Sequence, residues 1–218
     1  MKKPLKAVLF DFDGVLAKTM EDNYLAWKYS FETIGLNITK EDYMPFEGAP
    51  LSEIVKKISK KYNVQVTDIN EMVVKKEKYF KENYSFSFYP GVLEFVEKLK
   101  SKNIKIAIVT AALKDRLFST TPNDFLEKFD LVVTGNDYRK GKPNPDPYLI
   151  AAEKLDTLPE NCVVIENAPL GIQSAKSAKI CCVAICSTLN KSYLNEADII
   201  VEKFEDLKEV DIFKIYYL

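Results

Sequence analysis

The sequence of 218 residues contains no histidine. This absence excludes a Ser-His-Asp hydrolase, a Cys-His protease and a zinc site built on imidazole. Any acid–base chemistry must therefore use carboxylates, lysine, tyrosine or cysteine. Arginine is also scarce, since Arg116 and Arg139 are the only two, so a bidentate arginine clamp on a phosphate has few candidates.

Long apolar runs are missing as well. No run approaches the ~20 residues of a membrane span, and Ala7–Phe10 is too short for the core of a secretory signal. We therefore expect a cytoplasmic protein without a membrane partner. The 31 basic and 32 acidic residues nearly balance, so nucleic acid is not an expected partner either. The four cysteines lack CxxC spacing and are predicted to be buried thiols: Cys162, Cys181, Cys182 and Cys186.

Short apolar runs alternate with helical stretches along most of the chain. Strands are predicted over Ala7–Phe10, Ile104–Val109, Leu131–Thr134, Val163–Ile165, Cys182–Ile185 and Ile199–Val201. Helices are predicted between them over Gly91–Lys102, Asp146–Lys154 and Gly171–Lys179. Nearly continuous apolar strands that alternate with helices predict an α/β fold with a doubly wound parallel sheet.

Residues 18–87 interrupt this alternation with helices predicted over Glu21–Ile34, Leu51–Lys61 and Ile69–Lys81. A helical block inserted directly after the first strand predicts a cap domain over the core. The predicted domains are thus a core of residues 1–17 and 88–218 and a helical cap of residues 18–87. The C-terminal segment 212–218, with two tyrosines, could pack in the core or form an oligomer contact, and we expect a monomer or a weak homodimer.

The first candidate motif, Asp11-Phe12-Asp13-Gly14, directly follows the first predicted strand. Carboxylates two positions apart face the same side of an extended chain, and their repulsion favours a cation between them. Oxygen ligands of this kind suit Mg²⁺. Two aspartates alone would more simply cap the next helix, so the interpretation depends on the ends of the other strands.

Two further predicted strand ends could contribute to the same edge of the sheet. Thr110 follows the second strand, and its hydroxyl and the backbone N–H of Ala111 are candidates to hold a phosphoryl oxygen. Lys142 lies in a loop with prolines at three alternate positions, 143, 145 and 147. A lysine held rigidly beside a strand end is a candidate to neutralise phosphate charge.

Glu166 and Asn167 end the buried strand near residue 164 and offer a carboxylate and an amide oxygen. The predicted Mg²⁺ ligands are therefore Asp11, Asp13, Glu166 and Asn167. As an alternative, Asn167 could simply cap the helix that follows.

These motifs, in this order, resemble the haloacid dehalogenase superfamily of phosphotransferases, and within it the β-phosphoglucomutase-like phosphatases with a helical cap. The resemblance covers nearly the whole chain, with Asp11–Val15, Thr110, Lys142 and Glu166-Asn167 similar to the four family motifs. It implies that Asp11 is the nucleophile and Asp13 the acid–base residue. It also implies an aspartyl-phosphate intermediate and Mg²⁺ as the cofactor.

Three of the departures from the family pattern bear on the reaction or the metal. Asn23 stands where the mutase has a histidine that controls the acid–base aspartate, and Leu51 lies near the place of an arginine for a second phosphate. Asn167 replaces the aspartate of many relatives, and the lost charge should weaken Mg²⁺ binding or leave Glu166 as the main ligand.

The first two departures favour a phosphatase that acts on a small phosphorylated metabolite, such as a sugar or polyol phosphate. A β-phosphoglucomutase-type mutase is the alternative enzyme, and an aspartate-phosphoacceptor signalling domain is the alternative outside enzymes. In capped relatives the cap surface that faces the site selects the substrate. Here that surface is predicted to comprise Thr19, Asn23, Glu47, Gly48 and Leu51.

Overall fold

The computed structural model describes residues 4–208, so the segment 212–218 lies outside the described residues. The strands are β1 (Ala7–Phe10), β2 (Lys105–Val109), β3 (Leu131–Val133), β4 (Cys162–Glu166), β5 (Cys181–Ile185) and β6 (Ile199–Val201). All neighbours pair in parallel, in the order β3-β2-β1-β4-β5-β6. The predicted doubly wound parallel sheet is confirmed, and every strand ends within one residue of its predicted bounds.

The helices are α1 (Met20–Glu32), α2 (Lys40–Tyr43), α3 (Leu51–Lys61), α4 (Ile69–Asn83), α5 (Val92–Ser101), α6 (Lys114–Thr120), α7 (Asn123–Leu126), α8 (Asp146–Lys154) and α9 (Pro169–Ser177). Short 3₁₀ turns cover Met44–Phe46, Pro159–Asn161, Lys191–Tyr193 and Phe204–Lys208. Helices α2, α6 and α7 are not predicted from the sequence, because four to seven residues are too few for a clear helical period. Among residues 4–208, none of the helices combines the length and apolar character that crossing a bilayer requires.

The sheet is buried on both faces because alternate residues of each strand point to opposite sides. In β1, Val8 and Phe10 pack into one apolar cluster, whereas Ala7 and Leu9 pack into the other. Helix α5 covers the first face, and α8 and α9 cover the second. Two covered faces explain why the strands are almost continuously apolar in sequence.

Helices α1 to α4 lie between β1 and β2 in the chain, and we call residues 18–87 the cap. These helices have an apolar cluster of their own, centred on Trp27, Phe31, Ile54 and Ile58. Leu170, at the start of α9, is the core residue that packs against this cluster. The cap therefore has its own interior and also contacts the edge of the sheet from which α9 begins.

Candidate active site

The carboxyl ends of β1, β2 and β4 form the floor of the site. In the sheet, β2 and then β3 lie on one side of β1, and β4, β5 and β6 lie in that order on its other side. The strand order reverses beside β1, and such a switch point is the usual ligand site of an open α/β sheet. Phe10 is in register with Ile108 and Ile165, so the residues that follow these strands lie at one level.

Lys142 connects all three of these strand ends. Its Nζ lies 2.5 Å from Oδ1 of Asp11 and 2.7 Å from Oε1 of Glu166, and it also donates to the carbonyl of Val109 at 3.2 Å. The side chain is fully buried. Burial acts to lower the pKa of Lys142, but Asp11 and Glu166 outweigh it and raise the pKa well above its ordinary value. Lys142 is thus a fixed positive charge beside Asp11.

Asp11 itself is buried, and burial raises the pKa of its carboxyl group to about 8, against the opposing effect of Lys142. Its N–H donates to the carbonyl of Ile165 at 3.0 Å, which fixes the backbone at the end of β1. Among the described residues only Oδ1 is engaged, by Lys142. A bound cation would favour the ionised form that a nucleophile requires.

Glu166 is held by protein donors on both oxygens. Oε1 accepts from Lys142 and from the hydroxyl of Tyr148 at 2.8 Å, and Oε2 accepts from the N–H groups of Asn167 and Ala168 at 2.8 and 3.2 Å. A Cβ on Gly171 would lie 1.7 Å from Oε1, so α9 packs directly against this carboxylate. Glu166 therefore positions Lys142, and each of its oxygens accepts two hydrogen bonds from the protein.

Asp13 is bound by a buried arginine that the sequence analysis did not assign to the site. Arg116 Nη2 lies 2.6 Å from Oδ2 of Asp13, and Nη1 lies 3.1 Å from Oδ1. Thr19 Oγ1 and Asn23 Nδ2 also donate to Oδ1, at 2.5 and 3.1 Å. Burial acts to raise the pKa of Asp13, but Arg116 outweighs it and lowers the pKa below its ordinary value.

Arg116 belongs to α6 but is enclosed by the cap helix α4. Its guanidinium carbon lies 4.6 Å from the ring centre of Phe80, and its Nε lies 3.7 Å from Oε2 of Glu77. The buried amine of Lys76, also in α4, donates to Oδ1 of Asn23 at 2.8 Å. The scarcity of arginine was the only signal in the sequence that could have drawn attention to Arg116.

The loop after β2 contributes backbone and hydroxyl groups. Thr110, Ala111 and Ala112 line the same cavity as Asp11 and Asp13. The N–H of Ala112 donates to Oγ1 of Thr110 at 3.0 Å, so it is already used within the loop. The N–H of Ala111 is the backbone donor that fits the predicted phosphate contact.

The cavity between cap and core is small, with about 30 Å³ of space. That space holds about two water molecules and no larger ligand. The predicted site residues that line it are Asp11, Asp13, Asn23, Glu47, Gly48, Leu51, Thr110 and Ala111. Thr19 is not part of the lining, and its hydroxyl donates to Asp13 instead. Lys142 is also absent from the lining, and its amine contacts Asp11.

Among the predicted Mg²⁺ ligands, these hydrogen bonds distinguish Asp13 and Glu166 from Asn167. Arg116 engages both oxygens of Asp13, and four donors engage Glu166, so both carboxylates already accept several hydrogen bonds from the protein. Within residues 4–208, no three acidic, histidine or cysteine side chains converge as a metal cluster. Asn167 is different, because its Oδ1 is buried without a hydrogen-bond partner in the described part of the chain. An orphaned oxygen close to the end of β1 fits a hard cation such as Mg²⁺.

Gly14 gives Asn167 the room that it occupies. The φ of Gly14 is +87°, and a Cβ there would lie 2.2 Å from Nδ2 of Asn167. We expect Gly14→Ala to lower the free energy of unfolding by about 1–3 kcal/mol, through backbone strain and the displacement of Asn167. Chemical denaturation measures this loss.

Gly35→Ala is the matched control for that variant. Gly35 has a φ of +76°, but no atom lies within 4 Å of an added Cβ. It therefore reports the backbone strain alone. If both variants lose the same stability, the contact between Gly14 and Asn167 contributes nothing.

Comparison with known proteins shows which proteins this chain resembles. The family model of haloacid dehalogenase-like hydrolases matches residues 8–185. The phosphorylated carbohydrates phosphatase of Thermotoga maritima is 32% identical over 180 residues, which cover 81% of this chain and 82% of that protein. The β-phosphoglucomutase of Bacillus subtilis is 29% identical over 213 residues, with 93% and 92% covered.

Solved structures share the same fold. A protein from Bacteroides vulgatus superposes with a TM-score of 0.87 at 31% identity, covering 99% of this chain and 91% of that one. The chain spans only about a fifth of one longer relative, the chloroplastic SUPPRESSOR OF QUENCHING 1 protein of Arabidopsis thaliana. The two are 30% identical over 200 residues, which make up 88% of this chain and 19% of the plant protein.

Proposed function

Because this chain belongs to the haloacid dehalogenase-like hydrolase family, we propose that it is a Mg²⁺-dependent phosphatase working through an aspartyl-phosphate intermediate. The observation that carries the proposal is the meeting of Asp11, Asp13 and Lys142 at the switch point of the sheet, beneath a cap. The likeness to a phosphatase named for phosphorylated carbohydrates supports a sugar or polyol phosphate as the substrate. The family consists of enzymes, so we set aside the alternative of a signalling domain.

In the first half-reaction an oxygen of Asp11 attacks phosphorus, and the bond from phosphorus to the leaving oxygen breaks. Asp13 gives its proton to that oxygen, which departs as an alcohol. Lys142, held beside Asp11 by Glu166, offsets negative charge on the transferring group, as does the N–H of Ala111. The chain is left phosphorylated on Asp11.

In the second half-reaction water attacks the phosphorus of phospho-Asp11. Asp13 takes a proton from that water, the bond from phosphorus to Asp11 breaks, and inorganic phosphate leaves. Asp13 is then protonated again for the next substrate. No step needs histidine, in agreement with the composition.

Asp11 and the orphaned Oδ1 of Asn167 are the side-chain oxygens that would hold Mg²⁺. When bound, the ion supplies charge stabilisation to the phosphoryl oxygens. In this proposal Asn167 takes the place that the sequence analysis gave to Glu166, because the oxygens of Glu166 are occupied by donors.

The cap must move for substrate to enter, because the cavity of about 30 Å³ has room only for water. The same movement frees Asp13. Phe80 and Glu77, which contact Arg116, belong to α4 of the cap. Opening the cap therefore lets Arg116 withdraw from the Asp13 oxygen that must meet the leaving group.

The test is the release of phosphate from a panel of sugar and polyol phosphates, with Mg²⁺ and with excess EDTA. We expect turnover of at least one panel member, and a loss of about a hundredfold or more with EDTA that added Mg²⁺ restores. Equal rates with and without the chelator would contradict the metal dependence. Glucose 1-phosphate belongs in the panel, with glucose 6-phosphate followed as a second product.

A β-phosphoglucomutase-type mutase is the second candidate, supported by the likeness to the enzyme of Bacillus subtilis. The cavity does contain an arginine, Arg116, although Leu51 lies in the cap where the mutase arginine is expected. We favour hydrolysis because Arg116 is bound to Asp13 through both terminal nitrogens when the cap is closed, and Leu51 offers no charge to a second phosphate. Isomerisation of glucose 1-phosphate without phosphate release would reverse this preference. The cytoplasmic location and the monomeric or weakly dimeric state stay predictions.

A further inference from the structure

Three acidic side chains line the cavity among the described residues, namely Asp11, Asp13 and Glu47. Asp11 is paired with Lys142, and Asp13 is paired with Arg116. Glu47, which follows the 3₁₀ turn of the cap, makes no ion pair in the described part of the chain. Glu47 is therefore the acidic lining residue whose charge is not balanced by a neighbouring cation among the described residues.

Glu47 reaches across from the cap to the proposed metal residue of the core. Its Oε1 accepts from Nδ2 of Asn167 at 2.7 Å, and its Oε2 lies 3.4 Å from the hydroxyl of Thr188. The side chain is 4% exposed. The carboxyl group of Glu47 therefore lies one hydrogen bond away from the amide whose Oδ1 is buried without a partner.

The core alone offers Mg²⁺ little negative charge. Asn167 is neutral, the oxygens of Glu166 are occupied, and Asp11 shares its charge with Lys142. Protein sites for Mg²⁺ commonly use one or two carboxylates together with substrate phosphate. One further carboxylate is needed, and Glu47 is adjacent.

We propose that Glu47 of the cap supplies the metal site with the carboxylate that Asn167 lacks, so that the site is completed by closure of the cap. This inference rests on the proposed Mg²⁺ dependence and adds a residue to it. By linkage, a closed cap then strengthens binding of the ion, and the ion favours the closed cap to the same degree. The other role that the contacts allow is a neutral latch, in which Glu47 only joins cap and core by hydrogen bonds.

Glu47→Gln separates the two roles, because glutamine keeps the shape and can accept from Asn167 while it removes the charge. Titration with Mg²⁺ alone by calorimetry measures the Kd without any need for activity. Trp27 is the single tryptophan and lines the same cavity, so its fluorescence gives an independent reading. We expect the Kd to rise about tenfold in Glu47→Gln. It should change less than about twofold in Glu53→Gln, where the exposed cap acid pairs with Lys56.

A second test uses Asn167→Asp, which places a carboxylate at this position of the core. In that background we expect Glu47→Gln to change the Kd less than about twofold, since the charge is no longer missing. An equal rise of the Kd in both backgrounds would overturn the proposal. An unchanged Kd in Glu47→Gln with intact Asn167 would leave Glu47 as a latch, and would also overturn it.

Asp11→Asn distinguishes this failure from failure of the proposed function. If the unaltered chain binds Mg²⁺, Asp11→Asn abolishes binding and Glu47→Gln matches the unaltered chain, only the role of Glu47 is wrong. If the unaltered chain binds no Mg²⁺, the metal dependence and the role of Glu47 fall together. The melting temperature of each variant confirms that it is folded.

Discussion

Asp11→Asn is expected to lower kcat for phosphate release by about 10⁴-fold or more. The amide of asparagine has the shape of the carboxylate but is a poor nucleophile towards phosphorus. Lys142 keeps its contact with Glu166 in this variant, so the site loses its reacting oxygen and little of its packing. The rate is measured at saturating Mg²⁺ and substrate, beside the circular dichroism and melting temperature of both proteins.

Asp115→Asn is the matched control for Asp11→Asn. Asp115 lies on α6, next to Arg116 in sequence, but its side chain is 80% exposed and pairs only with Lys81 in the described structure. The same chemical change there should alter kcat less than about twofold. Intact mass spectra add a direct reading, since a phosphoryl group should appear on the unaltered chain during turnover and not on Asp11→Asn. Retention of a tenth of the activity by Asp11→Asn would contradict the assignment of the nucleophile.

The strand ends of the site could be predicted because two physical rules agree on them. Continuous apolar runs mark strands covered on both faces, and parallel strands bring their carboxyl ends to one edge. Asp11, Thr110 and Glu166 follow from these rules without knowledge of the packing. The register of β1 with β2 and β4 then places them at one level.

Arg116 could not be predicted, because its position depends on contacts between cap and core. Helix α6 is seven residues long and its sequence is mostly polar, which is typical of an exposed turn. Phe80 and Glu77 of α4, about 40 residues earlier in the chain, enclose the guanidinium and direct it to Asp13. The sequence pattern contains no information on that approach.

The different roles that we propose for Glu166 and Asn167 could not be predicted from the sequence either. Both residues offer oxygen atoms at the end of β4, and on charge alone the sequence favoured Glu166 as the main ligand. The N–H groups at the start of α9 and the hydroxyl of Tyr148 decide the matter, because they hold Glu166 against Lys142. Asn167 is left with an oxygen that the protein does not satisfy.

Asp13→Asn is expected to lower kcat by about 10²- to 10⁴-fold, with an effect that depends on the leaving group. An alkyl phosphate needs the proton of Asp13 in the first half-reaction, so its cleavage should be slow and the chain should stay unphosphorylated. p-Nitrophenyl phosphate has a leaving group that departs without a proton. With that substrate the first half-reaction should survive, and phospho-Asp11 should accumulate because no base activates water. Rapid-quench mass spectrometry distinguishes the two cases.

Asp13→Asn also removes the anion that balances buried Arg116, and breaking such a pair costs about 3–5 kcal/mol of stability. A loss of activity could therefore reflect unfolding rather than chemistry, and the double variant Asp13→Asn with Arg116→Gln separates the two. Removing both charges should recover most of the lost stability, because no uncompensated charge stays buried. Hydrolysis of the alkyl phosphate should stay as slow as in Asp13→Asn alone. If the double variant regained both stability and turnover, Asp13 would be a structural partner of Arg116, and the acid–base role would have to be assigned to another residue.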